Sequence, residues 1–200
     1  MSSLPPDLQS LRDQIDAADR AGAALAASVT EEQFHWRPFD GRGWSIAQCL
    51  EHLALMNKHY AAAVRTGVED ARRRSLRRMG PGRSTFFGRR FIQSMEPPVT
   101  MKLKAPAIGR TPENKPRGEI VRAYHEAHDV IRQLMADAAD VDLTRATFQN
   151  PFIRIIRMRV VTGLGVLAAH DRRHLWQAER VKLAPGYPPA AGSVVGTTPL

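Results

Sequence analysis

Along four long stretches of this chain, apolar residues recur at spacings of three and four, the period of a helix that buries one face. The first stretch carries Leu8, Leu11, Ile15 and Ala18, and the second Ile46, Cys49, Leu50, Leu53, Met56, Tyr60 and Val64. The third has Ile120, Val121, Tyr124, Ala127, Ile131 and Leu134; the fourth has Val160, Leu164, Leu167, Leu175 and Ala178. No stretch alternates as a half-buried strand does, and no repeat of solenoid length appears. Four stripes that each need a cover predict an all-α fold, a four-helix bundle with a long crossover between the second and third long helices.

Local signals set the expected boundaries. Pro5-Pro6-Asp7 opens the first helix, because proline is tolerated in a first turn and an acid there suits the helix dipole. It runs to about Ala27, with Gly22 as a weak point inside it. Thr30-Glu31-Glu32-Gln33 has the capping-box pattern of a short helical turn. Pro38 and the glycines of Phe39-Asp40-Gly41-Arg42-Gly43 then keep the chain irregular. Ser45 is the expected N-cap of a second long helix reaching about Arg74. Ser84-Thr85-Phe86-Phe87 starts a short helix through Ser94, and Pro97-Pro98 begins an irregular crossover to about residue 117, unusually long for a compact domain. The third long helix is expected from Glu119 to about Ala138 and the fourth from about Met158 to Leu183. The uncharged, proline-rich residues 184–200 are expected to form a disordered tail, leaving a domain of residues 1–183.

A length of 200 residues suits one domain. The single cysteine, Cys49, rules out an intramolecular disulfide and fits a reducing compartment; its place on the second stripe reads as a small buried hydrophobe. No apolar run approaches the roughly 20 residues that cross a bilayer, and the opening residues lack the plan of a signal peptide. A cytoplasmic protein without a membrane partner is therefore expected. The formal net charge of +9 would suit nucleic acid, an anionic surface or acidic small molecules, although a solvated basic surface is the commoner cause. Eight arginines and no acidic residue lie between Arg72 and Arg90.

Chemistry enters with His170 and His174 on the fourth stretch. Four residues apart on a helix, they stand one above the other and can hold one metal ion jointly. His52, on the flank of the second stripe, could meet them across the bundle, where facing helices assemble metal sites. Three neutral imidazoles suit zinc, nickel, copper or iron(II), and they leave a coordination position open. Asp171 projects near the middle of its face, where a lone carboxylate is unusual. Two roles fit it: an acceptor behind a ligand imidazole, or an ion pair with a neighbouring arginine, the commoner of the two. His59 points either to the cleft or, more commonly, to solvent. His125 and His128 read as an exposed helix face, with added ligation as the alternative. Gln177 suits hydrogen bonding within the cleft, and Trp36 and Trp44 suit core or cleft-wall positions at the start of the second helix.

Several of these residues form a familiar pattern. Trp36-Arg37-Pro38, followed by Gly43-Trp44-Ser45-Ile46 and Leu50-Glu51-His52-Leu53, resembles the opening motif of the DinB/YfiT-like superfamily. His170-Asp171-Arg172-Arg173-His174-Leu175 with Gln177 is similar to its second motif, and Lys102-Leu103-Lys104-Ala105-Pro106 to a segment its members often carry. The resemblance covers roughly Leu8 to Val181. It implies a four-helix bundle with one divalent transition metal (Zn, Ni or Fe(II)) held by His52, His170 and His174. Members are described as metal-dependent hydrolases, some transfer low-molecular-weight thiols, one relative isomerises maleylpyruvate with mycothiol, and dimers are common.

The expected function is thus a metal-dependent transferase or hydrolase that activates a thiol or water for a small-molecule substrate, working as a homodimer. Arg89, Arg90 and Arg173 are candidates for a rim that attracts an anionic substrate or thiol. Two other classes compete. The Arg72–Arg90 segment could bind nucleic acid, but it lacks regular aromatic interleaving and no helix-turn-helix or zinc-finger pattern accompanies it. The bundle could also be inactive, with the metal as a staple.

Overall fold

A computed structural model describes residues 3–98, 115–153 and 155–189. Among these residues, six helices and one small hairpin follow in order: α1 (Pro6–Ala27), α2 (Glu31–His35), α3 (Ile46–Arg73), α4 (Phe86–Met95), α5 (Arg117–Asp137), β1 (Thr147–Gln149), β2 (Arg157–Arg159) and α6 (Val160–Val181). Each of α1 and α3 packs against both α5 and α6, while α1 and α3 barely touch, so the four long helices form a bundle with α1 and α3 on one diagonal.

Caps account for the sharp starts. Ser45 Oγ accepts from the Gln48 amide at 3.1 Å while Gln48 Oε1 accepts from the Ser45 amide at 3.1 Å, a closed capping box ahead of α3. Thr30 and Gln33 make the same reciprocal pair ahead of α2. Gly22 gains a purpose in the packed molecule. A Cβ there would lie 2.6 Å from the Tyr124 ring, whose hydroxyl donates to the Ala18 carbonyl at 2.7 Å. Its absence lets α5 close onto α1.

Helix directions explain the crossover. Lys58 meets Glu126 and Arg65 meets Asp137, so α3 and α5 run side by side in the same direction. A helix of 28 residues is about 42 Å long, and the chain must return that distance before α5 can start. The α4 helix is part of that return and packs along α6. The Lys102–Pro106 motif and most of the 97–117 crossover lie outside the described residues.

Two expectations change. The fourth helix starts at Val160 rather than near Met158, because Arg157–Arg159 pairs antiparallel with Thr147–Gln149. Three-residue strands are too short to show a period of two; each turns one apolar side chain, Phe148 or Met158, into the core. Residues 184–189 are docked rather than loose: Tyr187 meets Trp36 edge-on at 5.5 Å, and Gln33 Nε2 donates to the Pro188 carbonyl at 2.8 Å. Residues 190–200 lie outside the described residues.

Among the described residues, most buried apolar side chains fall into two clusters. One includes Leu25, Phe34, Ile46, Leu50, Leu53, Ala54, Ile120, Tyr124, Ala127, Leu175 and Ala178. The other includes Leu8, Ile15, Tyr60, Val64, Ile131, Leu134, Phe148, Leu164, Leu167 and Ala168. On α3 the join falls between Ala54 and Tyr60, on α5 between Ala127 and Ile131, and on α6 between Ala168 and Leu175. Asn57, His128 and Asp171 occupy those three gaps, each fully buried. A polar layer thus crosses the bundle between two apolar halves.

Candidate metal centre

The capping box at Ser45 fixes the first turn of α3, and His52 follows two turns in. On α6, which runs opposite to α3, His170 and His174 stand one turn apart. The crossing brings the three rings together: centroids are 5.3 Å apart for His52 and His170, 4.5 Å for His52 and His174, and 4.6 Å for His170 and His174. One nitrogen from each lies within 4.8 Å of the other two. Nitrogens sharing a tetrahedral ion at about 2.1 Å stand roughly 3.4 Å apart, a spacing these three can reach with small side-chain movements.

Burial and charge suit the same role. His52 and His174 are buried and His170 partly so. Burial, with the charge that His52 would carry, pushes His170 down to about 4. Burial also pushes His174 well below the usual imidazole value, joined by His170, His52 and Arg173 and opposed by Gln177. Both rings are therefore neutral near pH 7, the form a metal requires. Nδ1 of His174 is sealed from solvent without a hydrogen-bond partner among the described residues. Such an orphan costs about 1–3 kcal/mol, and a cation in the cluster would relieve it if this nitrogen faces the ion. On these two observations the residues fit a divalent metal.

The other sequence candidates take varied places. Trp44 lies nearly parallel to His174 at 5.7 Å and edge-on to His52 at 4.9 Å, forming a wall of the cluster. Gln177 acts on the His174 ring. Arg173 is buried, with Nη1 3.4 Å from the Ser94 carbonyl at the end of α4, and burial lowers its pKa. Arg89 and Arg90 are exposed on α4 and donate to the Ser84 carbonyl and Gln93 Oε1, away from the histidines. His59 is exposed two turns beyond His52. Of the eight arginines from Arg72 to Arg90, five are held by carboxylates: Arg72 and Arg77 by Asp140, Arg73 and Arg74 by Asp70, and Arg78 by Asp7.

Asp171 and His128 correct the sequence reading. Among the described residues, Asp171 pairs with no arginine. Its Oδ1 accepts from Asn57 Nδ2 at 2.8 Å, and its Oδ2 lies 3.1 Å from His128 Nε2. His128 is completely buried rather than exposed, and its Nδ1 donates to the Tyr124 carbonyl at 2.8 Å. Burial opposes the charged ring, but the Asp171 hydrogen bond and charge more than offset it, and the pKa of His128 is raised. His125 instead meets Asp19 at 2.5 Å near the surface. Asn57 lies outside the candidates that motif and spacing single out. The signal was present, since Asn57 follows Leu53 by four and His128 follows Tyr124 by four, polar residues set on apolar stripes.

Comparison with curated proteins returned no match, and neither did comparison with solved structures. A family model described as the DinB superfamily matches residues 14–178. That span includes all three clustered histidines and most of the four long helices that carry and surround them. The chain belongs to the DinB superfamily.

Proposed function

We propose that this chain is a metal-dependent enzyme. It holds one divalent transition ion, Zn, Ni or Fe(II), through His52, His170 and His174, and acts on a small anionic substrate with a low-molecular-weight thiol or water as the nucleophile. The observation that carries the reading is the convergence of three buried or half-buried imidazoles from two antiparallel helices. A divalent metal with three protein ligands keeps a position open and lowers the pKa of a thiol or water held there.

The chain's own residues supply the rest. Low imidazole pKa values keep His170 and His174 as lone-pair donors. The Trp44 indole covers one side of the cluster and keeps water from it. Arg173 stays cationic beside two of the ligands and attracts a carboxylate or thiolate group of the substrate pair. The nucleic-acid alternative loses support, because carboxylates already hold five arginines of the basic segment. The homodimer belongs to the proposal through the family resemblance. Among the described residues, no helix is long and apolar enough to cross a membrane.

Elemental analysis of the purified protein should give one metal per chain, falling to a small fraction in H170A. Full occupancy in H170A would overturn the three-histidine assignment. The metal-replete protein should then turn over in a panel of thiols and electrophiles; a stoichiometric metal with no turnover of any thiol or hydrolysable substrate would leave the ion as a staple.

A further inference from the structure

The polar layer adjoins the metal cluster, and the two share helices. Asn57 is on α3 with His52, and Asp171 is on α6 between His170 and His174. His128 joins them from α5. One carboxylate therefore meets side chains from two other helices: Asn57 Nδ2 on α3 donates to it at 2.8 Å, and His128 Nε2 on α5 lies 3.1 Å away. All three side chains are fully buried, and the residues above and below them on each helix belong to separate apolar clusters. From α1, Asp19 approaches His128 Nδ1 at 3.9 Å while held by Arg132 and His125.

Apolar side chains tolerate sliding, because one contact replaces another. Buried polar groups do not, since each must meet its partner or remain unsatisfied, and a polar layer in a helical assembly can fix register for this reason. If α6 slipped one turn past α3, about 5.4 Å, Asp171 would enter an apolar half and lose both donors. The same slip would move His170 and His174 away from His52. Rotation of α6 has the same two consequences together.

We infer that Asn57, Asp171 and His128 are positioning residues for the metal centre: Asp171 locks the register and rotation of α6 against α3 and so presets the three histidines. The inference rests on the three-histidine reading. It goes beyond it by assigning a role to residues outside the proposed ligand set.

The test uses Co(II) titration of the full chain, followed by d–d absorption, with circular dichroism to establish that each variant is folded at the assay temperature. N57L and D171L should bind Co(II) about 10–100-fold more weakly, with shifted bands. D171N is the conservative partner. Its amide can accept from Asn57 and donate to a neutral His128 whose Nδ1 still serves Tyr124, so its band positions should match the unaltered protein. A purely structural layer would change melting temperatures without changing the spectrum of a folded variant.

Parent-like affinity and bands in folded N57L or D171L would overturn the inference. Bands in D171N as shifted as those in D171L would also do so, since charge rather than register would then be at work. Should D171L fail to fold, N57L decides. N57L takes one donor from Asp171 but leaves it the His128 contact, and it removes an Asn57 Oδ1 that has no hydrogen-bond partner among the described residues, so it is expected to fold. If the unaltered protein binds no Co(II), or H170A binds it equally well, the metal reading fails and this inference falls with it. Parent binding that H170A abolishes and N57L leaves untouched defeats the layer alone.

Discussion

His128 is caught between two oxygens. Its Nδ1 is committed to the Tyr124 carbonyl, so its contact with Asp171 is a hydrogen bond only if the pair holds one further proton. Asp171 meets it from α6 across the bundle, Asp19 lies 3.9 Å away on α1, and its pKa is raised. A raised value means that the folded state holds the proton more tightly than the unfolded chain does. The stabilisation is complete below about pH 6.5, the ordinary imidazole value, and drains away as pH rises through the folded-state value. In a chelating buffer, the melting temperature of the parent should exceed that of H128Q by more at pH 6 than at pH 9. An equal gap at both would show that no such proton is held. This residue also marks where sequence reading stopped. His52, His170 and His174 were legible because their motif and spacing announce them. Asn57, His128 and Asp171 gain meaning only when three helices are set side by side, and no single stripe contains that alignment.

For elements, the start of α3 is the place where local chemistry and the site meet most directly. Trp44 walls the histidine cluster, Ser45 and Gln48 close the cap, and His52 follows on the same helix. Replacing an N-cap serine by alanine costs about 1 kcal/mol, within a range of roughly 0.5–2. S45A should lose that much stability in a urea titration, while an exposed α3 substitution such as T66A should change it little. The helices were readable from apolar period, caps and prolines to within a few residues. The β1–β2 hairpin was not, since its strands are three residues each and its register depends on Phe148 and Met158 finding the core. Residues 184–189 misled for a related reason. A segment without charge and rich in proline looks unstructured until Tyr187 has Trp36 to rest on.

At the scale of the whole molecule, the parallel course of α3 and α5 turns a long connection into a necessity. It also lets the metal ligands come from positions about 120 residues apart along the chain. A site of that kind does not exist in the unfolded chain, so whatever ion it holds stabilises the native state through mass action. The divided core gives this a direction. Two apolar halves joined by a hydrogen-bonded seam need not open together, and amide exchange can distinguish cooperative units within one domain. Amides of α3 before Ala54 and those after Tyr60 should exchange as two groups. Loading the protein with Zn(II) should slow the first group, which surrounds His52, more than the second. The same seam that aligns the helices would then also be the line along which the molecule breathes.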